Sequence, residues 1–217
     1  MIRLIIKIYI SLCIFFLIGS CKTQHNIAGF WKGELAFSEY EVMTADLLLE
    51  DDSTFFFVKQ ASINDPRKAY FGHWHMVEGK LFLDGGRDLQ LFMTFENDAI
   101  EILDFEGEKV IGKKKFILAK TADSLMLSQE FLANGEFNYF ADASTFRFCG
   151  SEKLFPVAML KDHILAERLL LELHENEPEA MLYLSLLLSY EYLPGMDGGQ
   201  TRQLIIHKLI TQIPVCE

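Results

Sequence analysis

From residue 29 to residue 118 the chain is a series of short segments rich in aromatic and β-branched residues, each closed by a polar turn. No other feature limits the fold as much, because such segments suit half-buried pleated surfaces. Gly29-Phe30-Trp31 opens a strand that continues through Lys32-Gly33-Glu34-Leu35. Met43 to Leu49 runs into the turn Glu50-Asp51-Asp52-Ser53, and Thr54 to Val58 pairs back. Ala69 to Val77 turns at Glu78-Gly79 into Lys80 to Leu83, and Leu89 to Phe95 turns at Glu96-Asn97-Asp98 into Ala99 to Leu103. Phe105-Glu106-Gly107-Glu108 leads into a last pair that ends at Phe116-Ile117-Leu118. Even spacing with polar turns predicts an up-and-down β-barrel over residues 28–132, and closure removes the exposed strand edges. A small eight-stranded barrel either fills with side chains or holds one small molecule. The 19 phenylalanines favour filling.

The second half reads differently. Asn134-Gly135 marks a break after the apolar stretch Leu125 to Leu132. Phe137 to Ala141, Ser144 to Phe148 and Leu154 to Met159 are expected strands, with Asp142 in a turn. Asp162 is placed to N-cap a helix reaching about His174, with Leu165, Leu169 and Leu173 on one face and Ile164, Leu170 and Leu171 widening it. Glu167 and Arg168 fall on the solvated side, and Pro178 ends the helix. Met181 to Tyr192 and Arg202 to Ile213 are long apolar strands. Three strands, one helix and two strands predict a small OB-like β-barrel over residues 135–217, so the chain as a whole is mainly β. That fold often binds oligonucleotides, but a net charge of −11 argues against nucleic acid.

The N-terminus states a location. Arg3 and Lys7 precede an eleven-residue apolar run from Ile8 to Ile18. This matches a signal peptide and is shorter than the ~20 residues a membrane-spanning helix needs. Leu17-Ile18-Gly19-Ser20-Cys21 looks like a bacterial lipobox, in which cleavage before Cys21 frees a thiol for diacylglycerol. Two acyl chains anchor a protein stably where one does not. Residues 1–20 are then a signal peptide and residues 21–27 a tether to the membrane. By resemblance to the sorting rules of enteric bacteria, Lys22 in place of aspartate favours the outer membrane, and the periplasmic face is expected. Removing residues 1–20 leaves 197 residues and a net charge of −13.

Cys13 leaves with the signal peptide and Cys21 is used for lipid, so Cys149 and Cys216 remain, 67 residues apart. In an oxidising compartment this pair reads as a disulfide, worth about 4 kcal/mol by loop entropy, with two free thiols as the alternative. His73-Trp74-His75 is a candidate metal site. Two imidazoles at this spacing share one face of a strand, and imidazole suits copper or zinc. The other reading is a pair of solvent-facing histidines with Trp74 and Met76 turned into the barrel.

Gly29-x-Trp31 resembles the signature of lipocalin-like barrels. The order Trp31-x-Gly33-x-Leu35, Leu47-x-Leu49-x-x-Asp52-x-Thr54-Phe55, Gly72-x-Trp74, Gly79-x-Leu81-x-Leu83 and Leu103-Asp104-x-x-Gly107 resembles the N-terminal module of the NlpE envelope lipoproteins. Phe137 to Ala143, Thr145-Phe146-x-x-Cys149, Phe155 to Met159, His163 to Arg168, Leu193 to Gly198 and Cys216 resemble the C-terminal module of that family. The resemblance implies an outer-membrane lipoprotein acting as a non-enzymatic sensor or adaptor in envelope-stress signalling. It implies a sensor kinase as partner, a redox-sensitive Cys149–Cys216 disulfide and a link to copper homeostasis. The family's Cys-x-x-Cys is absent, since Phe37 and Tyr40 stand at those positions. No hydrolase, metalloprotease or phosphate-loop motif occurs, so no enzyme and no catalytic residue is expected. A monomer is expected. The alternative function is a carrier whose first barrel holds a small apolar ligand or a metal ion.

Overall fold

β3 (Thr54–Gln60) breaks the usual rule for a strand on a barrel wall. Its first five residues are all buried. Successive side chains on a strand point to opposite faces, so both faces of β3 are covered. Phe55 and Phe57 enter one apolar core, while Phe56 and Val58 enter another. These two cores organise the molecule. The computed structural model describes residues 27–36, 42–111, 116–122, 127–141, 143–195 and 198–216. Cys21, Phe37, Tyr40 and Asp142 lie outside them.

The first core fills an eight-stranded antiparallel barrel made of β1 (Gly29–Ala36), β2 (Val42–Leu49), β3, β4 (Lys68–Val77), β5 (Lys80–Asp84), β6 (Gln90–Glu96), β7 (Ala99–Ile102) and β8 (Ile117–Thr121). Each strand pairs with the next, and β8 pairs back onto β1 to close the cylinder. Glu78-Gly79 and Asn97-Asp98 all have positive φ, the backbone of two-residue hairpin turns. Trp31, Leu47, Phe55, Leu83, Met93 and Leu118 are fully buried inside. One end is sealed by indoles: Trp31 Nε1 donates to the Ile27 carbonyl at 3.0 Å and Trp74 Nε1 to the Glu50 carbonyl at 3.1 Å. Met76, expected inside with Trp74, is instead 51% exposed. β3 pairs with β4 only as far as Thr54↔His73, so residues 75–77 pair with β5 alone and project beyond the barrel end.

The second barrel contains β9 (Phe131–Phe140), β10 (Ala143–Phe148), β11 (Phe155–Val157), β12 (Leu182–Pro194) and β13 (Gln200–Gln212). β10 pairs with β9 and β11, β11 meets β13 in parallel, and β12 joins β13 to β9, which closes a five-stranded OB-type barrel. The expected break at Asn134-Gly135 is the middle of β9. A Cβ at Gly135 would lie 2.4 Å from the Phe146 ring, so this glycine lets Phe146 cross the barrel and turns nothing.

Helix α1 (His163–Asn176) lies against this barrel, touching β9, β12 and β13. Its buried residues are His163, Ala166 and Leu170, with Leu169 and Leu173 partly covered. Ile164, Leu165 and Leu171, expected on the apolar face, are exposed, because the contact stripe follows 163, 166 and 170. Asp162 precedes the helix without capping it by its side chain. Its carboxylate instead accepts the Leu209 amide at 3.3 Å and ties the helix start to β13.

The second core crosses between the barrels. Leu48, Phe56, Val58, Ala69 and Phe71 from the outer wall of the first barrel join Phe148, Phe155, Leu186 and Leu204 of the second. The backbone is continuous there as well: the Leu132 amide donates to the Arg67 carbonyl at 2.7 Å, and Lys68 and Leu132 are parallel partners. Phe56→Ala is expected to cost about 3–5 kcal/mol. Both tryptophans lie in the first barrel, so their fluorescence reports it while the far-ultraviolet signal reports both. The two midpoints in urea should coincide in the wild type and fall together in the variant.

Candidate functional site at the disulfide joint

Cys149 follows β10 directly, and its amide donates to the Asn134 carbonyl at 3.0 Å, fixing the turn. Cys216 lies four residues past β13 and is bonded to Cys149, with the Cα atoms 5.2 Å apart. Both half-cystines are half-buried. A polar cleft of about 390 Å³, lined by Lys68, Asp88, Asn134 and Ser185, opens on the Cys149 side between the barrels. A second cleft of about 230 Å³, lined by Glu136, Arg147 and Tyr183, borders both cysteines.

The residues flanking Cys149 touch the first barrel. Phe148 stacks on Phe71 at 5.8 Å between centroids and meets Phe56 edge-on at 5.6 Å. Gly150, at φ +79, lies against Gly85 and Gly86, which link β5 to β6. A Cβ on Gly150 would stand 2.8 Å from the Gly85 carbonyl oxygen. Bare backbone meets bare backbone there, and no side chain can be added without opening the contact.

Charges rim this joint. Lys153 Nζ bonds the Asp52 carboxylate at 2.9 Å and lies over the Phe71 and Phe155 rings. Burial works against the Asp52 charge, but the Thr54 hydroxyl and amide and the Lys153 ammonium outweigh it and bring its pKa down to about 2. Arg202 pairs with Glu50 at 3.0 Å and covers the Tyr190 ring. Tyr190 itself stacks on Phe56 at 5.3 Å, and burial pushes its phenol up to about 12. Below the joint Arg67 and Asp46, both largely buried, pair at 2.8 Å and hold the segment whose carbonyl receives Leu132.

The histidines divide into two groups. His73 and His75 are exposed on the outer face of β4, as their spacing requires, and His75 packs edge-on against Phe82. No third histidine, cysteine or carboxylate joins them into a metal-binding cluster among the described residues. Two imidazoles alone are an incomplete ligand set for a copper or zinc ion. His163 and His207 lie in the second barrel. His163 Nε2 is 2.5 Å from Ser144 Oγ, and burial lowers its pKa against the pull of Glu167. His207 Nε2 is 2.7 Å from Ser189 Oγ, and its Nδ1 is 2.9 Å from Glu130 and 2.5 Å from Lys161 Nζ. Burial, then Lys161, lowers the His207 pKa, while Glu130 and Glu191 oppose them.

Ser189, His207 and Glu130 thus have the spacing of a hydrolase triad. The proton is oriented the wrong way for catalysis. Ser189 donates to Glu191 at 2.7 Å and therefore accepts from His207, and the serine is fully buried with no place for a reacting carbonyl. The group ties β12 and β13 to the segment entering β9. Sequence reading missed it because its members are 77 positions apart, from Glu130 to His207. It missed the joint too, although the unbroken run Phe55-Phe56-Phe57-Val58 is the signal of a strand covered on both faces.

Residues 128–214 match the family model described as the NlpE C-terminal OB domain. Over those residues the chain is NlpE-like. Lipoprotein NlpE of Escherichia coli is 30% identical over 131 residues, which cover 59% of this chain and 55% of that relative. In that alignment the chain spans a little over half the length of the curated relative. The crystal structure of the Cpx pathway activator NlpE from Escherichia coli is 25% identical, covers 87% of this chain and 96% of its own, and superposes with a TM-score of 0.37. A putative lipoprotein from Shewanella oneidensis is 20% identical over 45% of this chain and 92% of its own, with a TM-score of 0.39. The similarity to NlpE rests on the family model over residues 128–214 and on the sequence identity.

Two outcomes test the joint. Gly150→Val should part the Gly85 contact and speed proteolysis between the barrels while each barrel keeps its strands by far-ultraviolet dichroism. Because the folded-state pKa of Asp52 is depressed, its contribution to stability is present above about pH 4 and is lost as pH falls toward 2. In Asp52→Asn the unfolding midpoint should fall less steeply than in the wild type over that window.

Proposed function

We propose that this protein is a lipid-anchored envelope lipoprotein that acts as a sensor or adaptor, and that the Cys149–Cys216 bond is the state it reports. Cys21 carries the acyl anchor, and the outer membrane, on its periplasmic face, is the site of action. The observation that carries the reading is the placement of the disulfide turn. Gly150, adjacent to Cys149, bears on Gly85 of the other barrel, and Phe148, on its other side, bears on Phe56 and Phe71. Loss of the bond frees the loop closed by the two cysteines, 67 positions apart, and loosens the turn at that contact. A redox change in one barrel is then felt by the surface of the other.

The E. coli relative is a Cpx pathway activator. By that resemblance the partner here is an envelope-stress sensor kinase, met by a monomer without nucleic acid and without enzymatic turnover. A copper-related role has little support, because His73 and His75 stand as two ligands without a third among the described residues. A second reading, a carrier, is favoured by one observation: an apolar cavity of about 300 Å³ at the mouth of the first barrel opposite its two tryptophans.

The test is Cys149→Ser expressed in the native envelope, compared with Cys149→Ser/Cys216→Ser. Stress signalling should rise in both variants while the membrane-associated fraction stays unchanged, and amide exchange around Gly85 should quicken. Signalling equal to that of the wild type, with the protein correctly localised, would overturn the sensor reading.

A further inference from the structure

The edge of β4 that faces away from β3 is paired at two places with a gap between them. The Trp74 amide donates to the Ser53 carbonyl, so residues 70, 72 and 74 turn their main-chain groups toward β3. Direction alternates along an antiparallel pair, so Ala69, Phe71 and His73 turn theirs to the other edge. There His73 is matched by Asp84 of β5, and Lys68 is the parallel partner of Leu132 of β9. Between these points no described strand lies against β4. The N–H and C=O of Phe71 and the C=O of Ala69 are left without a strand partner. Such groups are a template for an added strand.

The polar cleft of about 390 Å³ beside Cys149 lies on this gap. Ala69, Tyr70 and Phe71 line one side of it, and Leu132, Ala133 and Asn134 line another. The gap is closed at both ends, by the Leu132 amide on the Arg67 carbonyl at 2.7 Å and by the pairing of His73 with Asp84. Residues 69–72 span about 13 Å at the rise of a strand. A long strand cannot run through that space, and a free peptide of about three residues can enter it.

The charges at the two ends differ in sign. Lys68 stands at the Leu132 end, and Asp88, in the link from β5 to β6, stands at the Asp84 end. Among the described residues neither forms an ion pair. A cation at one end and an anion at the other match the carboxylate and the ammonium of a free peptide. They also set its direction, antiparallel to β4. In that direction the N–H and C=O of Phe71 both pair with one residue, the central one.

We infer that the cleft between the barrels binds a free peptide of about three residues as an added strand on β4, with its carboxylate at Lys68 and its ammonium at Asp88. Binding of this kind needs no change at Cys149–Cys216. Failure of the inference therefore leaves the sensor reading standing.

The experiment uses the full chain carrying Cys21→Ser, which is free of acyl groups. Trialanine and Ala-Phe-Ala are titrated by calorimetry, and exchange of the Phe71 amide is followed by nuclear magnetic resonance. One peptide should bind per chain and slow that exchange. Lys68→Met, or the peptide with an amidated carboxyl end, should weaken binding about tenfold, the order expected for one charge-assisted hydrogen bond. The two changes together should cost no more than either alone. Asp88→Asn and acetylation of the peptide amine should behave in the same way. Both side chains are exposed, so these variants keep the fold. A methyl group on the central peptide nitrogen should abolish binding, because that N–H meets the Phe71 carbonyl. No heat and unchanged Phe71 exchange with both peptides, or binding that survives the central methyl group, would overturn the inference. Equal binding of hexa-alanine, or of peptides blocked at both ends, would overturn the recognition of a short free peptide.

Discussion

The Phe56 ring, buried between two barrels, is the contact on which the architecture depends. It meets Phe71 of its own barrel at 4.9 Å and Phe148, Phe155 and Tyr190 of the other at 5.3–5.6 Å. A barrel wall ordinarily alternates between an apolar interior and a wet exterior. Here β3 keeps its interior set and makes its exterior apolar as well, so the first barrel is stable only with that exterior covered. Aromatic pairs at these distances contribute about 0.5–1.5 kcal/mol each beyond their buried area. The cluster therefore joins the two barrels as firmly as a core joins two sheets.

The disulfide acts where this cluster meets solvent. Its turn reaches the first barrel through Gly150 on one side and Phe148 on the other, so one covalent bond lies between a buried contact and two open clefts. Exposure of that kind makes a disulfide accessible to exchange, as fully buried bonds are not. The ion pairs Lys153–Asp52 and Arg202–Glu50 rim the same contact and fix which way the barrels face. They add orientation more than strength, since partly exposed pairs are screened by water and salt.

Buried polar groups in the second barrel play a supporting part. Ser144–His163 links β10 to α1, and Ser189–His207 with Glu130, Glu191 and Lys161 links β12 and β13 to the start of β9. Both imidazoles are kept toward their neutral forms by burial. A satisfied network of this kind specifies one arrangement of strands and helix. Its likeness to a hydrolase triad illustrates why spacing alone does not make a catalytic site: the serine hydroxyl donates to Glu191 and not to the imidazole, and the serine is fully buried.

The amino-acid order alone determined the sequence of elements, the two barrels, and the turns at Glu78-Gly79 and Asn97-Asp98. Those features are local, set by side-chain period and turn chemistry. The tertiary structure alone decided that Met76 faces water, that α1 buries His163 and Ala166 in place of Ile164 and Leu165, and that Asn134-Gly135 continues a strand. It also decided that Phe56 and Phe71 face a second barrel. The reason is the same in each case. A strand or helix has two sides, its sequence shows only which sides are apolar, and what covers each side depends on contacts between residues far apart along the chain.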